Sequence, residues 1–270
     1  PSGGRPPSER GPTEVPEAKR TAGLPASAAE ALSRVSVVLA SPQGPQNVGA
    51  VARLCQNFGV GDLRVAAPHP RLLPRGAMAG ELPFTEETRA YATSAGWVLD
   101  RCAALGAYAD VAAAVEGADL VVATSARRPT SGQRMLDCRG AMAEVAEAAA
   151  GGARVAVLFG NERTGLTSED VRMAHVHCVV PAVGVAAGED GTPWTGGGAA
   201  SLNLSHAAAV VLYELFCAAA PADYVSRHAG KARKGRLLGS GHRQRLAEEL
   251  LEGLGDLCVG VGEGWEEAMG

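Results

Sequence analysis

The chain has 270 residues, of which 46% are hydrophobic but only 4% aromatic. That length can bury one sizeable core, and the core must be built from Val, Leu and Ala rather than from rings. A formal net charge of -4 excludes a globally basic nucleic-acid binder and confines any nucleic-acid footprint to a local patch. No apolar run approaches the roughly 18 residues of a membrane span, so no membrane partner is expected.

The first twenty residues are rich in Pro, Gly and charge. They cannot offset the entropy of ordering, and residues 1–33 are expected to be a disordered or low-complexity extension. A transit-peptide remnant and a linker from a larger protein both remain open, with Glu9, Glu14 and Glu17 speaking against the transit peptide. Residues 34–220 are predicted to form the main domain, and 221–270 a basic linker with a terminal helix. The six cysteines, at 55, 102, 138, 178, 217 and 258, have no metal-ligand spacing. They are expected to be reduced core residues. No metal is expected, and a reducing compartment, cytoplasmic or organellar, fits.

The apolar, β-branched run Val35–Ala40 predicts a strand. A loop follows, and a helix is predicted from near Asn47, with Val48, Val51, Cys55 and Phe58 on one face and Gly59 ending it. Residues 63–67 read as the second strand, 85–95 and 111–115 as helical, and 119–124 as a strand. Residues 139–150 predict an alanine-rich helix broken by Gly151-Gly152. Residues 155–159 predict a buried strand, Thr167 caps a short helix with acids in its first turn, and 176–180 predict the last strand. A Gly-rich loop, 184–198, precedes a helix over about 202–219. Strands alternating with helices predict an α/β fold, a mainly parallel sheet covered by helices on both faces. Neither a GxGxxG fingerprint nor a P-loop is present, which counts against a dinucleotide-dependent dehydrogenase.

Three segments carry polar residues where a plain α/β core would not put them. In Asn47-Val-Gly-Ala-Val-Ala-Arg53 the Asn and Arg lie six residues apart, close to two helical turns, and Gly49 and Ala50 leave room for a backbone or a ligand. In Phe159-Gly-Asn-Glu-Arg-Thr-Gly-Leu166 a buried strand runs into a loop carrying Glu162 and Arg163 between two glycines. Ligands of open α/β sheets bind beyond the carboxyl ends of strands. An ordinary turn with a surface Glu162–Arg163 ion pair is the plainer reading. In Ser201-Leu-Asn-Leu-Ser-His206 three polar side chains compete to cap one helix.

Together the three segments, in this order, resemble the SpoU family of RNA ribose methyltransferases within the SPOUT superfamily. The stretch 119–127 followed by Met135-Leu-Asp137 is similar to its TrmJ branch. The resemblance covers roughly Val35 to Phe216. It implies a SPOUT fold with a C-terminal trefoil knot, S-adenosylmethionine as cofactor, and 2'-O-methylation of transfer RNA at anticodon-loop position 32. It also implies a homodimer whose active site borrows residues across the interface. Asn47, Arg53, Glu162, Ser201 and Asn203 would be catalytic, with Glu162 orienting Arg53 or Asn47. Thr124, Ser125, Ala126, Leu158, Gly160, Asn161, Glu162, Val180, Pro181, Ser201 and Leu202 would hold the cofactor.

Arg53 and Arg127 would face the RNA. Guanidinium keeps its proton, so Arg53 suits charge stabilisation and positioning rather than proton abstraction. The tail with Lys231, Arg233, Lys234 and Arg236 is the expected local phosphate footprint. The loop 184–198 is longer than usual in the family; a lid using Trp194 and an insertion without a role both stay open. Ribosomal RNA methylation and a catalytically silent RNA-binding paralogue are the alternatives to methylation of transfer RNA.

Overall fold

The computed structural model describes residues 23–74, 76–78, 80–125, 134–182, 201–222 and 224. The chain separates into two compact units, Pro1–Val225 and Ser226–Gly270, and every described residue lies in the first. Loop 184–198, the basic tail and the terminal helix predicted for it lie outside the described residues.

Helix α1 (Ala26–Ser33) leads into strand β1 (Val35–Ala40), helix α2 (Pro45–Asn57) and strand β2 (Asp62–Ala66). Then come α3 (Glu86–Ala92), α4 (Gly96–Leu105) and α5 (Val111–Val115). Strands β3 (Leu120–Thr124) and β4 (Arg134–Asp137) precede α6 (Cys138–Ala150), β5 (Val155–Phe159), α7 (Ser168–Arg172), β6 (Val176–Val179) and α8 (Leu204–Ala219). The six strands form one sheet in the order β2-β1-β5-β3-β6-β4, and every pairing is parallel.

Alternate strand residues feed two cores, as a sheet buried on both faces requires. Val35, Val37 and Leu39 of β1 and Val155, Val157 and Phe159 of β5 face the larger core, packed by α1, α2, α4, α6 and α8. Val38, Ala40, Ala156 and Leu158 face the smaller one, which holds Val111 and Ala114 of α5, with Val171 of α7 packed against it. The predicted double coverage is present, but one side rests on two helices of five residues each.

Residues 26–33, placed by the sequence in the extension, form α1, which buries Ala28, Ala31 and Leu32. The spacing i, i+3, i+4 is a helical stripe, and burying Leu32 alone is worth roughly 2 kcal/mol. Helix α4 and strand β4 also go beyond the predicted elements. Gly49 proves to make room for a backbone: a Cβ there would strike the Thr88 carbonyl oxygen and lie 2.8 Å from Tyr91 Cβ. Its absence lets α2 and α3 touch. Cys55, Cys102, Cys138 and Cys178 are buried free thiols, and burial pushes the Cys102 thiol up to about 12.

Candidate active site

The carboxyl ends of β3, β5 and β6 open into a cleft of about 190 Å³. Thr124 and Ser125 line it at the end of β3, residues 159–166 at the end of β5 and in the loop after it, Cys178 and Val180 at the end of β6, and Ser201, Leu202, Leu204 and Ala207 at the entry and first turn of α8. Two hydrogen bonds tie the strand ends together at its base. Thr124 Oγ1 donates to the Leu158 carbonyl (2.7 Å), and Ser125 N donates to the Cys178 carbonyl (3.1 Å).

The loop after β5 is a closed turn. Asn161 N donates to Gly165 O (3.2 Å) and Gly165 N to Asn161 O (2.8 Å). Asn161 Oδ1 also accepts from Arg163 N (2.9 Å) and Thr164 N (3.2 Å). Gly160 is required there, because a Cβ would collide with the Leu166 nitrogen and the Gly165 backbone. The turn is thus rigid before any ligand arrives.

Two consecutive residues of this turn clamp the loop after β1. Asn161 Nδ2 donates to the Ser41 carbonyl. Ser41 itself has a positive φ of 49°, a strained conformation for a residue with a Cβ, held here by its surroundings. The Glu162 carboxylate accepts from Gln43 N (2.9 Å), Gly44 N (2.9 Å) and Asn47 Nδ2 (3.1 Å). Helix α2 starts with Pro45 after a glycine N-cap and has no side-chain cap of its own. Glu162 therefore caps it from a distant segment, placing negative charge at the positive end of the helix dipole.

Glu162 thus orients Asn47, one of the two expected options, and no ion pair joins it to Arg163 among the described residues. Arg53 is exposed, does not line the cleft, and has no hydrogen-bond or ion-pair partner among the described residues. Asn203 is held at the start of α8. Its Oδ1 caps α8, accepting from Ser205 N (2.9 Å) and Ser205 Oγ (2.7 Å), and it stands outside the cleft lining.

Of the expected cofactor residues, Thr124, Ser125, Gly160, Asn161, Glu162, Val180, Ser201 and Leu202 line the cleft. Leu158 does not, because its side chain belongs to the smaller core and only its carbonyl reaches Thr124. Pro181 is exposed beside Val180 and outside the lining. Ala126, Arg127, Lys231, Arg233, Lys234 and Arg236 lie outside the described residues. Leu204, expected to give apolar contact to the adenine or to helix packing, lines the cleft as well; sequence reasoning passed over Arg163, Thr164 and Cys178 as lining residues. For Arg163 a signal existed, since it sits inside the second motif.

The Cys178 thiol is raised by its hydrogen bond with Cys138 and by burial, so it stays protonated and forms an uncharged part of the wall. Its neighbour His177 is fully buried, and burial lowers its pKa. Among the described residues no group of three or more His, Cys, Asp or Glu is arranged to hold a metal.

A parallel sheet with a preorganised, glycine-bearing cleft at its carboxyl edge is the ligand site of an open α/β protein. The model of the SpoU rRNA Methylase family matches residues 34–188. The tRNA (cytidine/uridine/adenosine-2'-O-)-methyltransferase TrmJ of Pseudomonas aeruginosa is 29% identical over 184 residues, 68% of this chain and 61% of the relative. The tRNA (cytidine/uridine-2'-O-)-methyltransferase TrmJ of Escherichia coli K12 is 32% identical over 185 residues, 68% of this chain and 63% of the relative. The crystal structure of a probable methyltransferase from Bordetella pertussis is similar with a TM-score of 0.55 and 26% identity, over 72% of this chain and 98% of that one. The chain belongs to the SpoU methylase family. It spans just over three fifths of the length of these curated relatives.

Proposed function

We propose that the chain is an S-adenosylmethionine-dependent RNA 2'-O-methyltransferase acting on transfer RNA. The reading takes in the trefoil knot of the family, a homodimer, and a reducing compartment that suits the five free thiols among the described residues. The observation that carries it is the joining of the three motif segments around one cleft. The second and third motifs line it, and Glu162 fastens the first motif to it through Asn47 and through the Gln43 and Gly44 N–H groups of the loop that leads into it.

The cleft suits a donor with an apolar ring and a polar tail. Val180, Leu202 and Leu204 offer apolar wall, while Ser125 and Thr164 offer hydroxyl groups. When bound, the donor supplies a sulfonium methyl that passes in line to the ribose O2'. The new oxygen–carbon bond would replace the sulfur–carbon bond, the donor would leave as a neutral thioether, and the O2' proton would pass to solvent water. The residues of the chain align the two reactants, and alignment alone is worth several kcal/mol. Glu162 accepts three hydrogen bonds from the α2 entry and positions it. Arg53 is exposed, stands outside the lining of its own cleft, is unpartnered among the described residues, and supplies the guanidinium that steadies the developing alkoxide in the partner's cleft. The exposed Val210 and Tyr213 on α8 give that dimer an apolar contact face. The TrmJ relatives, named for methylation of tRNA, favour transfer RNA over ribosomal RNA.

The test is incubation of the protein with methyl-labelled donor and unmodified transfer and ribosomal RNA, followed by mapping of the label. Ribose label on an anticodon-loop nucleotide is expected. Label on ribosomal RNA alone would move the substrate, and label on a base or nowhere would overturn the reading. Arg53→Ala should abolish transfer with donor affinity held within a few-fold; an active variant refutes its role.

A further inference from the structure

We propose that Arg163 is a phosphate-binding residue for the RNA, gripping the backbone beside the target ribose at the lip of the cleft. The inference rests on the methyltransferase reading and adds to it a subsite that none of the expected RNA contacts includes.

Arg163 lines the cleft, yet its residue is exposed. Its side chain has no hydrogen-bond or ion-pair partner among the described residues, and the adjacent carboxylate is engaged elsewhere. Glu162 spends both oxygens on Gln43, Gly44 and Asn47. The backbone beneath Arg163 is, by contrast, tightly held, since its own N–H donates to Asn161 Oδ1 at 2.9 Å and the turn closes between Asn161 and Gly165. A rigid pedestal bearing an unsatisfied guanidinium is poised for a planar, two-oxygen anion, the geometry that phosphate offers.

The competing anion is the carboxylate of the donor. The donor as a whole carries a sulfonium and an ammonium against one carboxylate, so a cation at the lip gives it no net attraction. The RNA brings a phosphate on each side of every ribose, and the reacting hydroxyl must enter at this lip. Charge therefore favours the RNA. With a protein of net charge -4, isolated cations at the site matter more than the overall field.

The experiment compares the wild type with Arg163→Gln and Arg163→Lys. It measures KM for transfer RNA at several salt concentrations, equilibrium affinity for S-adenosylmethionine, and thermal stability. Arg163→Gln should raise the RNA KM about tenfold at low salt and flatten the slope of log affinity against log salt by close to one unit, the share of one phosphate contact. Arg163→Lys should restore the slope while recovering only part of the KM. Donor affinity and thermal stability should stay within twofold and about a degree. An unchanged salt slope in Arg163→Gln, or a loss of donor affinity instead, overturns the proposal while wild-type transfer to RNA leaves the methyltransferase reading standing. A wild type that transfers no methyl to any RNA removes both.

Discussion

The sharpest consequence of the site geometry concerns Glu162→Gln, a change of one atom. The carboxylate accepts two backbone N–H bonds and one amide bond, at 2.9, 2.9 and 3.1 Å. Glutamine has one oxygen, so at least one of the Gln43 and Gly44 N–H groups must face another donor. A hydrogen bond to a charged acceptor is worth about 1.5–3 kcal/mol, and a donor left facing a donor costs about 1–3 kcal/mol. The lost charge at the start of α2 removes a further 0.3–1 kcal/mol or so. The site is half-buried, which trims these figures, and a total near 2 kcal/mol is expected. For a domain of about 200 residues that is a fall in Tm of roughly 4–8 °C. Scanning calorimetry or urea unfolding of both proteins measures it. If Glu162 merely paired with Arg163 on the surface, the loss would stay below about 1 kcal/mol, and a shift under about a degree refutes the clamp.

Gly49→Ala should destabilise by about 1–3 kcal/mol, because the new methyl must push α3 off α2 at Thr88 and Tyr91; an unchanged urea midpoint contradicts that packing. Asn203→Ala should cost about 1 kcal/mol of stability by removing the α8 cap. If it instead lowered kcat severely at unchanged stability, a catalytic role would be restored to Asn203. His177 is neutral in the folded state down to lower pH than in the unfolded chain, since burial lowers its pKa. Its contribution to stability is therefore full above the unfolded value of about 6.5 and is lost as pH falls below it toward the folded pKa. The imidazole NMR signal should titrate below pH 6.5, and a midpoint at or above that value refutes the assignment.

The parts legible in the sequence were those set by local pattern. Strand β1 and strand β5 carry unbroken apolar runs because both faces are buried, and their observed ends match the expected ones. The Thr167 cap was legible because the box closes within four residues, with Asp170 accepting from Thr167 N. Helix α2 begins two residues before the expected start because its cap comes from Glu162, more than a hundred residues away. Strand β4 has only four residues at the sheet edge and no residue that is fully buried, so no apolar run announced it. Helix α4 did leave a signal, with Val98, Leu99 and Cys102 at helical spacing and buried. At the third motif, composition offered three caps, and only the fold selected Asn203.

At the site, residue types were readable but their partners were not. Pairing Glu162 with Asn47 depends on β1 and β5 being neighbours in the sheet, a fact of topology. The same holds for Asn161, whose amide reaches Ser41 across that strand pair. Arg53 was expected at the chemistry and lies outside the lining of its own cleft.

Hydrogen–deuterium exchange with and without S-adenosylmethionine is the most direct test that this cleft is the donor site. Protection should appear in residues 124–125, 159–166, 178–180 and 201–207, the segments that line it. Protection elsewhere with these segments unchanged, or no protection at donor concentrations well above those of the cell, would contradict the account.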